Sequence, residues 1–423
     1  MDGARVGLGD LPLDKGIAAD ARSGADFFDQ LTMPAAAIIK PILERNSGWM
    51  RHYIQQSGVS IAPHGKTTMI PEIFRMQIAD GAWAITLSTL QQVRVGRHFG
   101  INRIFLANVL ADPREIAAIF AELEDDPSFD FYCLIDSVDA LQALVDGFAA
   151  GPWRRPINVL VELGYPGGRT GCRSVPDALA LARRAAQAGE GVRLVGVEGF
   201  EGLINPASES HRDARIRDFV RSLADLAEAA DAEKLFSGEE KIVSAGGTGF
   251  IDLVVSGLSR LNETAPRFRL LIRSGCYIAF DTGQYRDLFK RMAQRGSPGF
   301  SGPAPVLESA LEVWARVLSR PEPGRLILGA GKRDLGQDVD IPRLVKWLRP
   351  GLHSLPQSIP EGCRVVELND QHAHVEVASE VPLRFGDFVG LGVSHPCTTF
   401  DKWRKIQVVD GGYRIVETFQ TYF

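Results

Sequence analysis

The chain has 423 residues, 45% hydrophobic and 23% charged; these are globular proportions and exclude wholesale disorder. Lysine and arginine total 47 against 52 acidic residues, a net charge of −5, and no basic stripe interleaved with aromatics occurs, which argues against a nucleic-acid partner. No run nears the roughly 20 apolar residues of a membrane span, the first 30 residues lack the apolar core of a signal peptide, and five scattered cysteines fit a reducing, cytoplasmic setting.

Eight short apolar, β-branched runs follow one another: 59–66, 82–88, 103–109, 131–136, 157–164, 193–200, 241–247 and 268–275. Most are apolar on both faces, as strands of a buried parallel sheet are. Amphipathic helical patterns fill the gaps, at 112–124, 137–149, 176–190, 211–230 and 282–295. The first of these has Asp112 as cap, Pro113 at the first helical position and Glu115 three residues past the cap. Strand then helix, eight times over, predicts a (β/α)8 barrel of the TIM type over residues 30–297; a doubly wound open sheet is the alternative. The stretch 295–305 reads as a boundary linker. Beyond it, 311–320, 325–331, 363–370, 373–379, 387–394 and 405–423 alternate apolar and polar residues between glycine and proline turns. This predicts a mostly antiparallel β domain over 298–423, with residues 1–29 free to pack on it.

Active sites of such barrels form at the C-terminal ends of the strands. Strand one ends in Pro63-His64-Gly65-Lys66-Thr67, which aims Lys66 into the barrel mouth. A desolvated lysine there is a nucleophile for carbonyl compounds; a loop lysine held in an ion pair is the plainer reading. Strand seven ends in Ser244-Ala245-Gly246-Gly247-Thr248-Gly249 and strand eight in Arg273-Ser274-Gly275-Cys276-Tyr277. The loops after these two strands are the common phosphate site of the fold, although glycines there also serve tight turns. A lysine and a phosphate cradle in one mouth suggest pyridoxal phosphate. Strand five runs on through Tyr165 to Arg169, an arginine placed to face the cofactor ring oxygen or a substrate carboxylate, or else to make a surface ion pair. In the C-terminal domain, His395-Pro396-Cys397 in an extended segment would point two ligands to one side. Imidazole plus thiolate favours zinc, and two protein ligands leave positions open as a catalytic site requires. A core histidine beside a buried cysteine is the alternative. His372 and His374 stand some 20 residues earlier, either as helpers of that site or as one face of a strand.

These motifs, in this order, resemble the D-serine dehydratase and D-threonine aldolase group of the alanine-racemase-like, fold type III pyridoxal phosphate enzymes. The resemblance runs from Pro63–Thr67 through Tyr165–Gly171, Gly196–Gly202, Ser244–Gly249 and Arg273–Tyr277 to His395-Pro396-Cys397. It implies a homodimer with the cofactor on Lys66, and His64 and Lys66 as the catalytic residues. Gly246, Gly247, Thr248, Gly275, Cys276 and Tyr277 would bind the phosphate, with Arg169 and Tyr165 near the ring. His395 and Cys397 would hold a divalent metal, zinc by preference. The expected reaction is β-elimination on a D-3-hydroxy amino acid, D-serine to pyruvate and ammonia being the first choice. Retro-aldol cleavage of a D-threonine-like substrate, racemisation and a non-catalytic cofactor-binding role are the rivals. The thiolate at Cys397 speaks for the dehydratase, because aldolases of the group look carboxylate-ligated there.

Overall fold

A computed structural model describes residues 14–16, 23–205, 208–238, 240–300 and 307–423. Its first strand, β1 (Ala35–Ile39), belongs to a sheet completed more than 270 residues later. The next eight are β2 (Ser60–Ile61), β3 (Ile85–Leu87), β4 (Arg103–Leu106), β5 (Asp130–Ile135), β6 (Ile157–Leu163), β7 (Val192–Gly199), β8 (Ile242–Ala245) and β9 (Arg269–Ile272). They pair in parallel in the order β2-β9-β8-β7-β6-β5-β4-β3. The ends of that order meet. Trp83 N–H donates to Ile61 O at 2.8 Å, Thr86 N–H to Pro63 O at 2.9 Å, and His64 and Thr86 form a parallel bridge. Each of the eight runs picked out in the sequence overlaps one of these strands, two of which start one residue earlier, so the closed barrel stands and the open doubly wound sheet does not.

The helices follow from local signals. The helix Pro113–Asp125 starts where Asp112 accepts the Arg114 N–H at 2.8 Å. Its buried residues Ile116, Ile119, Phe120 and Leu123 recur at helical spacing and cover the barrel wall. The other four predicted helices are found at Val138–Ala149, Val175–Ala186, Glu209–Ala232 and Gln284–Gln294.

The second domain is a mostly antiparallel sheet built from β10 (Leu311–Glu322), β11 (Arg325–Leu328), β12 (Arg343–Leu348), β13 (Gln357–Ser358), β14 (Cys363–Leu368), β15 (Ala373–Val377), β16 (Phe388–Gly392), β17 (Lys405–Val409) and β18 (Ile415–Gln420). Into its middle comes β1, antiparallel to β10 and parallel to β17. The run Ala35–Ile39 shows no polar alternation because all five residues are buried, and the barrel range read from the sequence includes it. Just before it, Phe28 packs edge-on against Trp314 at 4.8 Å and lies 5.2 Å from Tyr413. The N-terminal segment is thus part of the β-domain core. Phe28→Ala should cost about 3–5 kcal/mol, read as a lower urea midpoint; an unchanged midpoint would show that the segment adds no packing. The stretch read as a linker is pinned at Phe300, whose ring lies 5.4 Å from both Trp49 and Tyr53. Residues 301–305 of that stretch lie outside the described residues. Among the described residues, no helix is long and apolar enough to cross a membrane.

Candidate active site

After β2 the chain turns through a 3-10 turn, Gly65–Thr67. A Cβ on Gly65 would come within 2.7 Å of the Phe74 ring, so glycine alone permits the tight approach. The turn seats Lys66 half-buried at the C-terminal rim of the barrel. Burial pushes its amine below the ordinary lysine value; the Arg169 and Arg273 guanidinium groups push the same way, against Cys397 and Cys276. Next to it, burial and then the Lys66 charge hold the His64 imidazole well below its usual range. One ring nitrogen, Nε2, lies 3.4 Å from Ser88 Oγ, and Nδ1 is buried without a hydrogen-bond partner.

Three buried carboxylates and one arginine converge on the same rim. Arg273, at the end of β9, donates to Glu198 on β7 and to Ser244 Oγ on β8 at 3.0 Å. Burial pushes Glu198 up to about 8 despite that partner, and raises Glu162 and Glu201 as well. Thr170 donates to Glu162 at 2.6 Å. A lone charge inside an otherwise apolar strand run, as in VLVEL, GVEG and LLIRSG, is the sequence signal that could have exposed this cluster.

The glycine loop after β8 behaves as an anion nest, with one change from the expectation. Gly246 has φ +93°, and the N–H groups of Gly246 and Gly247 donate to the buried Glu201 carboxylate at 3.1 and 2.9 Å. A carboxylate already occupies the two amides assigned to a phosphate. The neighbouring hydroxyls of Thr248 and Ser274 lie 2.8 Å apart and are buried at the same rim. Gly275 is confined: a Cβ there would lie 2.5 Å from His64 O and 2.9 Å from Thr67 Oγ1. The Tyr277 hydroxyl accepts from Gln77 at 3.3 Å. The Tyr165 ring packs edge-on against Phe219 at 5.7 Å and lines a pocket with Glu162, Arg169, Thr170 and Phe200. Arg169 stacks over Phe200 at 5.6 Å and faces the lysine side.

The C-terminal domain closes the rim. Cys397 Sγ lies 3.4 Å from Cys276 Sγ and 3.5 Å from Thr67 Oγ1, one residue from Lys66. The segment carrying it is not extended. Pro396 has φ −57° and ψ −42°, and a short helix starts at Cys397. A proline at a helix start is preset for that φ, so a turn, rather than strand alternation, brings His395 and Cys397 together. Their interaction, together with Asp338, outweighs burial and raises His395 to about 9. His395 Nδ1 lies 2.6 Å from Asp338 Oδ2. Nothing in the sequence around Asp338 signalled that contact. His374 spends its two ring nitrogens on Arg325 and Asn369, each at 2.7 Å, and His372 is exposed. Neither makes a hydrogen bond or ion pair to this cluster among the described residues. Nor do those residues contain any group of three or more His, Cys, Asp or Glu side chains arranged to hold a metal. What the rim brings together is one imidazole and one thiol, His395 and Cys397.

Residues 310–409 match the model of a family described as a putative serine dehydratase domain. The chain is 26% identical over 376 residues to a D-threonine aldolase of Arthrobacter sp, covering 87% of this chain and 86% of that one. It is 28% identical over 381 residues to the D-threo-3-hydroxyaspartate dehydratase of Delftia sp. (strain HT23), covering 87% and 92%. Solved structures of that dehydratase include a histidine-to-alanine variant and a cysteine-to-alanine variant in a metal-free form, the two replaced residues standing two apart. The D-threonine aldolase of Filomicrobium marinum superposes with a TM-score of 0.74 at 24% identity, over 95% of this chain and 98% of that one, so it shares the fold. With the ordered motifs, this likeness along most of its length makes the chain similar to the D-threonine aldolases and D-3-hydroxyaspartate dehydratases, with a fold shared by an alanine-racemase-like protein.

Proposed function

We propose that this protein is a pyridoxal phosphate- and metal-dependent lyase that eliminates water from a D-3-hydroxy amino acid, with D-serine to pyruvate and ammonia as the reaction. The observation that carries this reading is the meeting of Lys66 with the Cys397–His395 pair. Residues some 330 positions apart share one rim, with Thr67 Oγ1 3.5 Å from Cys397 Sγ. A lysine whose amine is depressed by burial, and the buried Thr248 and Ser274 hydroxyls at the same rim, suit an anionic aldehyde. Lys66 would hold the cofactor covalently. Thr248, Ser274, Gly275 and Cys276 would hold its phosphate, with the Gly246 and Gly247 amides available only where Glu201 yields them. Imidazole and thiolate side by side suit zinc. The Delftia dehydratase, whose cysteine-to-alanine variant is a metal-free form, supports a metal on a cysteine in this chain. Five free cysteines fit a cytoplasmic enzyme, and the family resemblance supports a homodimer.

When bound, the cofactor supplies an electron sink for charge developing at the substrate's α-carbon, and the metal a Lewis acid for the β-hydroxyl. The protein's own groups do the rest. A buried Lys66 amine with a lowered pKa is neutral over more of the working pH range, so its Nζ can accept the α-proton. Arg169, facing Lys66, can receive the substrate carboxylate. Arg273, held by Glu198 and Ser244, is a fixed cation below the rim. His395 and Cys397 set where the ion, and with it the leaving hydroxyl, must stand.

Incubation with a panel of D-amino acids, with and without chelator, tests the reading. A keto acid from D-serine is expected, and glycine plus an aldehyde from D-threonine would establish the aldolase reaction instead. The aldolase is the second reading, favoured by the 26% identity to the Arthrobacter enzyme. Gly275→Ala should lower kcat on the order of 10²-fold, because a Cβ would press on the His64–Thr67 turn and misplace Lys66. An unchanged kcat would show that the turn is not held by that contact.

A further inference from the structure

We infer that Asp338 is the positioning residue of the metal site: it takes His395 by Nδ1 and so leaves Nε2 as the nitrogen that binds the ion beside Cys397. The inference rests on the metal reading above and extends it to a residue outside the expected ligand pair.

A neutral imidazole donates from one nitrogen and offers a lone pair at the other. With Nδ1 2.6 Å from Asp338 Oδ2, the ring's donor belongs there. The interaction of His395 with Cys397 then falls to its other ring nitrogen, Nε2. A carboxylate behind a ligating histidine fixes the tautomer, sets the ring plane and makes the imidazole a better donor to the metal.

The loop that carries Asp338 is built against the ligand turn. Its other carboxylate oxygen, Oδ1, accepts the Thr398 hydroxyl at 2.6 Å. Two residues earlier, Gly336 N–H donates to Thr399 Oγ1 at 3.0 Å, and Ser394 Oγ donates to Gly336 O at 3.2 Å. A Cβ on Gly336 would lie 2.3 Å from Thr398 Oγ1, so the loop can sit this close only with glycine there. Every hydroxyl in Ser394–Thr399 is therefore spent on the Gly336–Asp338 loop or on the turn itself. The Asp338 side chain is half exposed, at 47%, so its service is geometric: an ion pair this exposed adds little stability, yet it fixes which nitrogen points inward.

The test is titration of the metal-stripped, full-length protein with Co(II) alone, following the visible and sulfur-to-cobalt absorption. Wild type, Asp338→Ala, Asp338→Asn, Asp338→Glu and Cys397→Ala are compared. Asp338→Ala should bind Co(II) about 10–100-fold more weakly, with an altered spectrum. Asp338→Glu should restore part of the affinity, because it keeps the carboxylate. A merely structural role would lower the melting temperature of Asp338→Ala and leave the affinity of the folded protein unchanged. Co(II) affinity within twofold of wild type in Asp338→Ala or, should that variant not fold, in Asp338→Asn, overturns the inference while leaving the metal site in place. A wild type that shows no sulfur-to-cobalt band, indistinguishable from Cys397→Ala, overturns the metal reading itself.

Discussion

Lys66→Ala should abolish the visible absorption of the lysine-bound cofactor and lower turnover of D-serine by more than ~10³-fold, since in the proposed reaction one side chain would be both anchor and base. The fold should survive, because Lys66 lies in a short turn and the barrel closes through the backbone of Ile61, Pro63 and Thr86. A labelling experiment checks the same atom. Borohydride fixation of apoprotein treated with pyridoxal phosphate should mark Lys66 first. The reactive form of the amine is the neutral one. A pKa lowered by burial therefore moves the rise in labelling rate to a lower pH than for an exposed lysine. Labelling that rises only where exposed lysines do would show that the amine is not depressed, and full turnover by Lys66→Ala would remove the proposed chemistry altogether.

Removing the metal should give the second largest effect. Hydroxide is a poor leaving group, and a Lewis acid on the departing oxygen is worth several kcal/mol, or on the order of 10²–10³-fold in kcat. Chelation and Cys397→Ala should both produce that loss, and zinc should restore only the chelated wild type. Cofactor absorption should persist in both, because Lys66 and the Thr248–Ser274 rim do not depend on the ion. Undiminished keto acid formation after chelation would leave the His395–Cys397 pair without a role in elimination and would show that the elimination needs no metal.

The site was partly visible in the linear chain. Lys66, Gly275 and the His395–Cys397 pair stand out because each is a reactive or conformationally special residue at the end of an apolar run. Tyr277 and Tyr165 stand in equally good motifs, yet one hydroxyl meets Gln77 and the other ring meets Phe219. Which neighbour a side chain meets depends on rotamer and on packing from distant segments, and neither is encoded locally. Glu201 illustrates the opposite case: a residue with no motif of its own takes the two amides that the motif had reserved for a phosphate.

Hydrophobic periodicity and turn chemistry alone determined the eight parallel strands, their helices and the change to an antiparallel domain, because those signals act over a few residues. Only the tertiary structure decided that Ala35–Ile39 completes the distant sheet, that Pro396 turns two ligands together, and that Asp338 stands behind His395. Each of these depends on contacts between segments tens to hundreds of residues apart. Their free energy comes from burial and hydrogen bonding across that distance, which no local pattern records.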